Sequence, residues 1–442
     1  MNQKIARVVE GKYLIPFILI TSLFFLWGIA NDMTNPLVSA FKKVMPELTN
    51  AQAAFVQLAF YGGYGTMAIP AALFIRRFSY KSGILLGLAL YATGALLFYP
   101  AARYETFGFF LASLYILTFG LAFLETTANP FILSLGHPQT ATRRLNLSQT
   151  FNPLGSLSGM LIAQLFIIKL IKSSKYSADT YALLPAAEKA TIRTNDLAVI
   201  SAPYIGLGIF ITVMFILIAL AKIPQKEHHE PISVGKAFRM LIRNKRYYEG
   251  VLAQMFYVGV QIMCWTFIFQ YVDNLNASRA ADMQLTATWY NMAAMIFFFL
   301  GRATSTYLMK YIQPAKLMFF FALAGVVLSL GTIFIVGFGG LLCLVGISIF
   351  MSLMFPTIYG IALRDMGDEA KLGSAGLVMA IVGGALMPPL QGKILDIGGG
   401  GFSDTLFFGY VPEVNISFFL PLICLAMVGL YAYRSFRYHL KD

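Results

Sequence analysis

The sequence predicts an all-α integral membrane protein with twelve transmembrane helices in two pseudo-symmetric six-helix bundles. Three observations predict it. The 442 residues are 58% hydrophobic and only 12% charged, against about 45–50% apolar and about 25% charged in a soluble domain. Half the usual charge cannot coat a water-soluble protein of this size, and 39 Phe with 23 Tyr exclude a disordered chain. Apolar runs of about 20 residues, enough to cross a bilayer, recur twelve times. One long polar connection divides six of these runs from the other six.

The first run, Leu14–Val38, follows a basic start as a signal peptide would. It is too long for that and lacks a small-residue cleavage site, so it is expected to remain as a span. Ala51–Ile75 closes on Arg76 and Arg77. Ser82–Ala102, Phe107–Leu135, Leu145–Ile171 and Ile200–Ile223 complete the first half, with a polar connection over Lys172–Val199. The second half contains Gly250–Val272, Leu285–Met309, Leu317–Phe338, Leu341–Leu363, Leu372–Leu395 and Ile416–Tyr433. The halves repeat weakly. Asn129-Pro130 in the fourth run and Phe355-Pro356 in the tenth lie at comparable depths, and the fifth (NPLGSLSG) and eleventh (IVGGALMPP) are both Gly-rich. The expected organisation is therefore an N-terminal bundle over 1–223, a linker over 224–247 and a C-terminal bundle over 248–442. Duplicated halves of this kind place a substrate site near the membrane midplane between them.

Charge orients the chain. With the N-terminus inside, 22 of the 33 Lys and Arg and 8 of the 20 acids fall on the cytoplasmic side, and 10 and 10 fall opposite. The basic excess puts both termini in the cytoplasm. The net charge of +13 is thus a juxtamembrane feature and not a nucleic-acid surface. Cys264, Cys343 and Cys424 lie in apolar runs without metal-ligand spacing, so no metal or cofactor is expected. No P-loop is present, which removes ATP as the driving force.

Three charges remain inside the runs: Asp32, Glu125 and Arg302. A charge at the centre of a membrane helix costs at least about 2.5–3.5 kcal/mol and is functional by default. Asp32 shares a helix face with Asn35, and Glu125 shares one with Asn129. Such carboxyls can take up and release protons as they face one side and then the other. Arg302 could neutralise one of them, contact substrate hydroxyls, or snorkel from a helix end. Polar stripes describe the cargo. Asn146, Gln149 and Asn152 recur every three residues in the fifth run. Gln254, Tyr257, Gln261 and Trp265 follow one face of the seventh, and Gln57, Tyr61 and Tyr64 one face of the second. Amides donate to and accept from hydroxyls, and aromatic faces cover C–H patches, so the pattern suits a sugar. A drug cavity would carry fewer amides and an anion site more cations. The bland reading of such residues is hydrogen bonding between helices.

At FFLWGIANDMTNPL, LETTANPF and RLNLSQTFNPLG the sequence resembles the fucose–proton symporter family of the major facilitator superfamily. The likeness continues through VLAQMFYVGVQIMCW, GRATSTYL and MSLMFPTIYG, and so covers most of the chain. It implies the major facilitator fold and proton-coupled import of a monosaccharide, L-fucose first, by alternating access. Asp32 and Glu125 would carry protons, and Asn35, Gln149, Asn152, Gln261, Trp265, Asn129 and Tyr61 would contact sugar. The first helix departs from the family pattern, with Asp32-x-x-Asn35 where that pattern has Asn-x-x-Asp. The exchange moves the acid about 4.5–5 Å along one face. Phe355 stands where a Tyr is expected. A glucose, galactose or mannose carrier on the same scaffold is the nearest alternative. A non-transporting sugar sensor would need a longer output segment than this linker, and an intramembrane enzyme would need a nucleophile with a base. The expected setting is a bacterial inner membrane, with the chain monomeric and only sugar, H+ and lipid as partners.

Overall fold

In hydrocarbon no water is available for exposed peptide groups, so an apolar run must close its hydrogen bonds within itself as a helix. The computed structural model describes residues 7–34, 37–48, 50–176, 180–181, 183–223, 234–277, 279–395 and 406–439. Its long helical segments are α1 (Leu14–Thr34), α2 (Asn50–Arg77), α3 (Tyr80–Tyr104), α4 (Phe107–Ser134), α5 (Pro138–Ile168) and α6 (Ala186–Leu220). They continue with α7 (Lys245–Asn276), α8 (Ala287–Leu308), α9 (Pro314–Phe334), α10 (Phe338–Ala362), α11 (Ala370–Leu395) and α12 (Glu413–Arg437). Among the described residues eleven of these are both long and apolar enough to cross a membrane. The other, α8, has the length but is diluted by Asn291, Arg302 and a TSTY end.

Local chemistry sets the ends. Ser79 caps α3, its hydroxyl accepting from Ser82 N at 3.1 Å. Asn244 caps α7 through Tyr247 N at 3.2 Å. Pro138 and Pro314 open their segments where a missing N–H costs nothing.

Three departures from the sequence reading have physical causes. The polar connection expected over 172–199 is helical from Ala186, because AAEKATIRTND favours helix although it is not apolar. Buried Asp196 of this extension accepts Lys172 N and Ser173 N, each at 2.8 Å, and so holds the preceding turn. Secondly, α5 starts at Pro138, which takes Arg143 and Arg144 into the helix instead of a loop. Thirdly, a two-residue strand pair, Leu406–Phe407 with Val411–Pro412, turns at positive-φ Phe408 and Gly409 between α11 and α12. Of the linker expected over 224–247, residues 224–233 lie outside the described residues. The rest is an amphipathic helix, Val234–Arg243, and the start of α7.

The described chain groups into two units. One contains residues 11–131 and 154–231, and the other contains 1–10, 132–153 and 232–442. In the first, the second part of α5 lies directly on α1. A Cβ on Gly155 would run into the Phe25 carbonyl, and one on Gly159 into that of Ile29. Small residues four apart permit this backbone contact between membrane helices. Tyr91 Oη donates to Leu26 O at 2.9 Å, and Thr34 Oγ1 meets Tyr204 Oη at 3.2 Å, so α3 and α6 also hold α1. In the second unit α7 and α11 approach in the same way, at Gly259 against Met387 and at Gly383 against the Met255 carbonyl.

Candidate functional site

In the first unit the acids converge on α2. Asp32 is buried in α1, within electrostatic reach of Tyr61. Glu125 is half-buried in α4, within reach of Tyr64. Tyr61 and Tyr64 are three residues apart, so both carboxyls look onto one face of α2. Glu125 Oε2 is itself buried and accepts no hydrogen bond among the described residues. Asn129, one turn on and fully buried, sends its amide Nδ2 back to the Glu125 carbonyl at 3.1 Å. Asn35, expected on the Asp32 face, lies outside the described residues.

In the second unit the centre is Arg302. It is only 2% exposed, so it does not snorkel. Its Nε donates to Ser352 O at 2.6 Å and its Nη1 to Gln149 O at 2.9 Å, and the guanidinium lies 4.5 Å from the Phe298 ring centroid. The sequence explains why both carbonyls are available. Proline has no N–H and its ring displaces the carbonyl four residues earlier. Ser352 is four before Pro356 and Gln149 four before Pro153. The helices break where this requires, α10 at Ser352–Leu353 and α5 at Thr150. One guanidinium thus occupies two acceptors that two prolines release. Its partners among the described residues are these carbonyls and the Tyr257 phenol, and no carboxylate pairs with it there. Of the ways the sequence left open for Arg302, pairing with a carboxylate does not occur within this unit.

In the amide stripe of α5, Asn146 serves packing between helices. Asn146 Nδ2 donates to Thr142 O at 3.0 Å and to Thr357 Oγ1 at 3.2 Å, tying α5 to α10. Gln149 is 5% exposed, and Asn152, three residues on, is half-buried. On α7, Gln261 and Trp265 are both half-buried. The Trp265 indole N–H goes to Ser348 Oγ at 3.2 Å, its carbonyl accepts from Asn291 Nδ2 at 2.9 Å, and its ring meets Phe298 edge-on at 5.1 Å. Gln254 and Tyr257 are completely buried. Phe355 stacks on Tyr359 at 6.1 Å and presents no hydroxyl.

Several partners escaped the sequence reading. Ser348, Ser352 and Asn291 are small or single polar residues in apolar runs, with no periodic signal. Arg144, placed by its charge in a loop, is fully buried. It donates to Ile132 O and Leu133 O, each at 2.7 Å, and to Thr140 Oγ1 and Val8 O, each at 3.1 Å. It thereby satisfies the last carbonyls of α4, a role basic residues commonly take at helix C-termini. Arg143 does the same for α8, donating to Thr306 O at 3.2 Å.

Comparison with known proteins gives a consistent result. The family model described as Major Facilitator Superfamily matches residues 17–390. The L-fucose-proton symporter of Haemophilus influenzae is 55% identical over 437 residues, 98% of this chain and 99% of that protein. A glucose/galactose transporter of Brucella abortus is 31% identical over 414 residues, 93% of this chain and 92% of its own. The crystal structure of a major facilitator transporter, FucP, in the outward conformation superposes with a TM-score of 0.83 at 33% identity, covering 96% of this chain and 99% of that one.

Proposed function

Because the chain belongs to the Major Facilitator Superfamily and, within it, to the fucose–proton symporter family, we propose that it imports L-fucose together with H+ by alternating access. The observation that carries this reading is the 55% identity, over nearly the whole of both chains, with a protein bearing that name. The protein is a multi-pass membrane transporter and not an enzyme. Its setting in this reading is a bacterial inner membrane with both termini cytoplasmic, as the basic excess on one side argues. The two sequence halves act as the two bundles.

Roles follow from the chemistry of the side chains. Glu125 and Asp32 exchange the proton. A carboxyl oxygen without a hydrogen-bond partner, as Glu125 Oε2 is among the described residues, is free to accept one. Gln149, Asn152, Gln261, Asn129 and Asn35 offer amides to sugar hydroxyls, while Tyr61 and Trp265 cover its apolar faces. Arg302 contributes positive charge and the N–H groups left over from its two carbonyls. A glucose/galactose reading has the Brucella relative in its favour, at lower identity.

Uptake of radiolabelled L-fucose, glucose, galactose and mannose into proteoliposomes, with and without an inward proton gradient, tests the proposal. L-Fucose should accumulate above equilibrium only with the gradient. Accumulation of glucose or galactose in preference would establish the second reading, and no gradient-dependent accumulation of any sugar would exclude both.

A further inference from the structure

The polar face of α7 runs through Gln254, Tyr257, Gln261 and Trp265, and its two ends are treated differently. At Trp265 the fold uses both polar groups, with the indole N–H on Ser348 and the carbonyl held by Asn291. At the other end Gln254 and Tyr257 are wholly enclosed. Among the described residues neither Gln254 Oε1 nor Gln254 Nε2 has a hydrogen-bond partner, and the Tyr257 hydroxyl is turned toward the Arg302 guanidinium. Native interiors rarely leave such groups unpaired, and here both polar atoms of one wholly buried amide are left so, one helical turn from the Tyr257 phenol.

Their neighbours are polar and aromatic groups of the kind that bind hydroxyls. Tyr257 meets Phe355 edge-on at 6.1 Å and lies within electrostatic reach of the Arg302 guanidinium. That group has five N–H donors, of which two are placed on the Ser352 and Gln149 carbonyls. An amide that donates and accepts, a phenol that does both, and a fixed cation that only donates together match hydroxyls on adjacent carbons. The aromatic edge beside them suits a C–H face. A packing role would not need this combination, since Met and Phe would fill the same volume without polar atoms.

We infer that Gln254 and Tyr257, working beside Arg302, form a hydroxyl-binding subsite on the second half of the protein. In this arrangement the specificity of α7 resides at its Gln254–Tyr257 turn and less at Trp265, whose polar groups the fold already occupies. The inference rests on the sugar-transport reading above.

Calorimetric titration of the purified full chain with L-fucose tests it, using the wild type, Gln254→Met and Tyr257→Phe, with unfolding temperatures recorded with and without sugar. Each substitution should weaken binding about tenfold, equivalent to about 1.4 kcal/mol, and should shrink the thermal shift that sugar produces. Unfolding without sugar should stay unchanged or rise in Gln254→Met, because a buried unpaired polar group has been removed. Wild-type affinity in both variants would overturn the inference, as would a loss of affinity that merely tracks a lower unfolding temperature. If Gln254→Met does not fold, Tyr257→Phe decides alone, since it deletes a single oxygen. A wild type that binds another sugar but not L-fucose would count against the L-fucose reading instead, and the variants would then be titrated with that sugar; a wild type that binds no sugar would overturn both.

Discussion

Glu125 in α4 and Arg302 in α8 are both ionisable groups within the spans, and the protein holds them in opposite ways. Arg302 is immobilised by two backbone carbonyls and an aromatic face. Glu125 keeps a buried oxygen without a hydrogen-bond partner among the described residues. A group fixed by acceptors that prolines have freed is part of the framework, and its charge is satisfied in place. A carboxyl oxygen left without such a bond can take up a proton without breaking one. The sequence contains both charges in similar apolar settings, and only their partners separate them.

The largest effect is expected at the acid. Glu125→Gln keeps the shape and hydrogen-bonding capacity but cannot titrate. Concentrative L-fucose uptake should fall to the equilibrium level while sugar exchange across the membrane continues, as counterflow in proteoliposomes would record. Asp32 gives the next largest effect. Asp32→Asn should flatten the pH dependence of uptake, and adding Asn35→Asp should restore it by returning an acid to the same face one turn on. Uptake measured over a pH series reads both. An intact profile in the single variant would leave Glu125 as the sole proton carrier.

On the framework side, Arg302→Met should lower stability by about 3–6 kcal/mol, because bonds from a charged donor are worth about 1.5–3 kcal/mol each and two are lost. Thermal unfolding in detergent checks this. A sugar-only role for Arg302 would leave the unfolding temperature where it is. The smallest effects belong to the α5 amides. Gln149→Ala and Asn152→Ala should each weaken sugar binding by about 1–3 kcal/mol without loosening Arg302, which uses the Gln149 backbone and not its side chain. Calorimetry on the two variants separates sugar contact from helix packing.

Much of this was legible in advance because hydrocarbon imposes a simple rule on apolar length. The twelve runs, the intramembrane acids and the amide stripe of α5 all follow from residue type and spacing. The extension of α6 to Ala186 was not legible by that rule, since hydropathy registers the apolar part of a helix and not the polar turns that continue it. Arg144 was read as a loop charge because nothing local distinguishes a solvated arginine from one that caps α4. The role of Arg302 was partly written in the sequence. Pro153 and Pro356 announce freed carbonyls, but bringing two of them to one guanidinium is a long-range fact of three helices. The engagement of Trp265 by Ser348 carried no signal, because a serine in LVGISIF looks like any small packing residue.

The central claim, that sugar and proton move together through Glu125, is tested most directly by adding L-fucose to de-energised vesicles and following the external pH. The medium should become alkaline with the wild type and stay unchanged with Glu125→Gln, although the variant still exchanges sugar. Alkalinisation of wild-type size in the variant, or none in a wild type that imports the sugar, would contradict it.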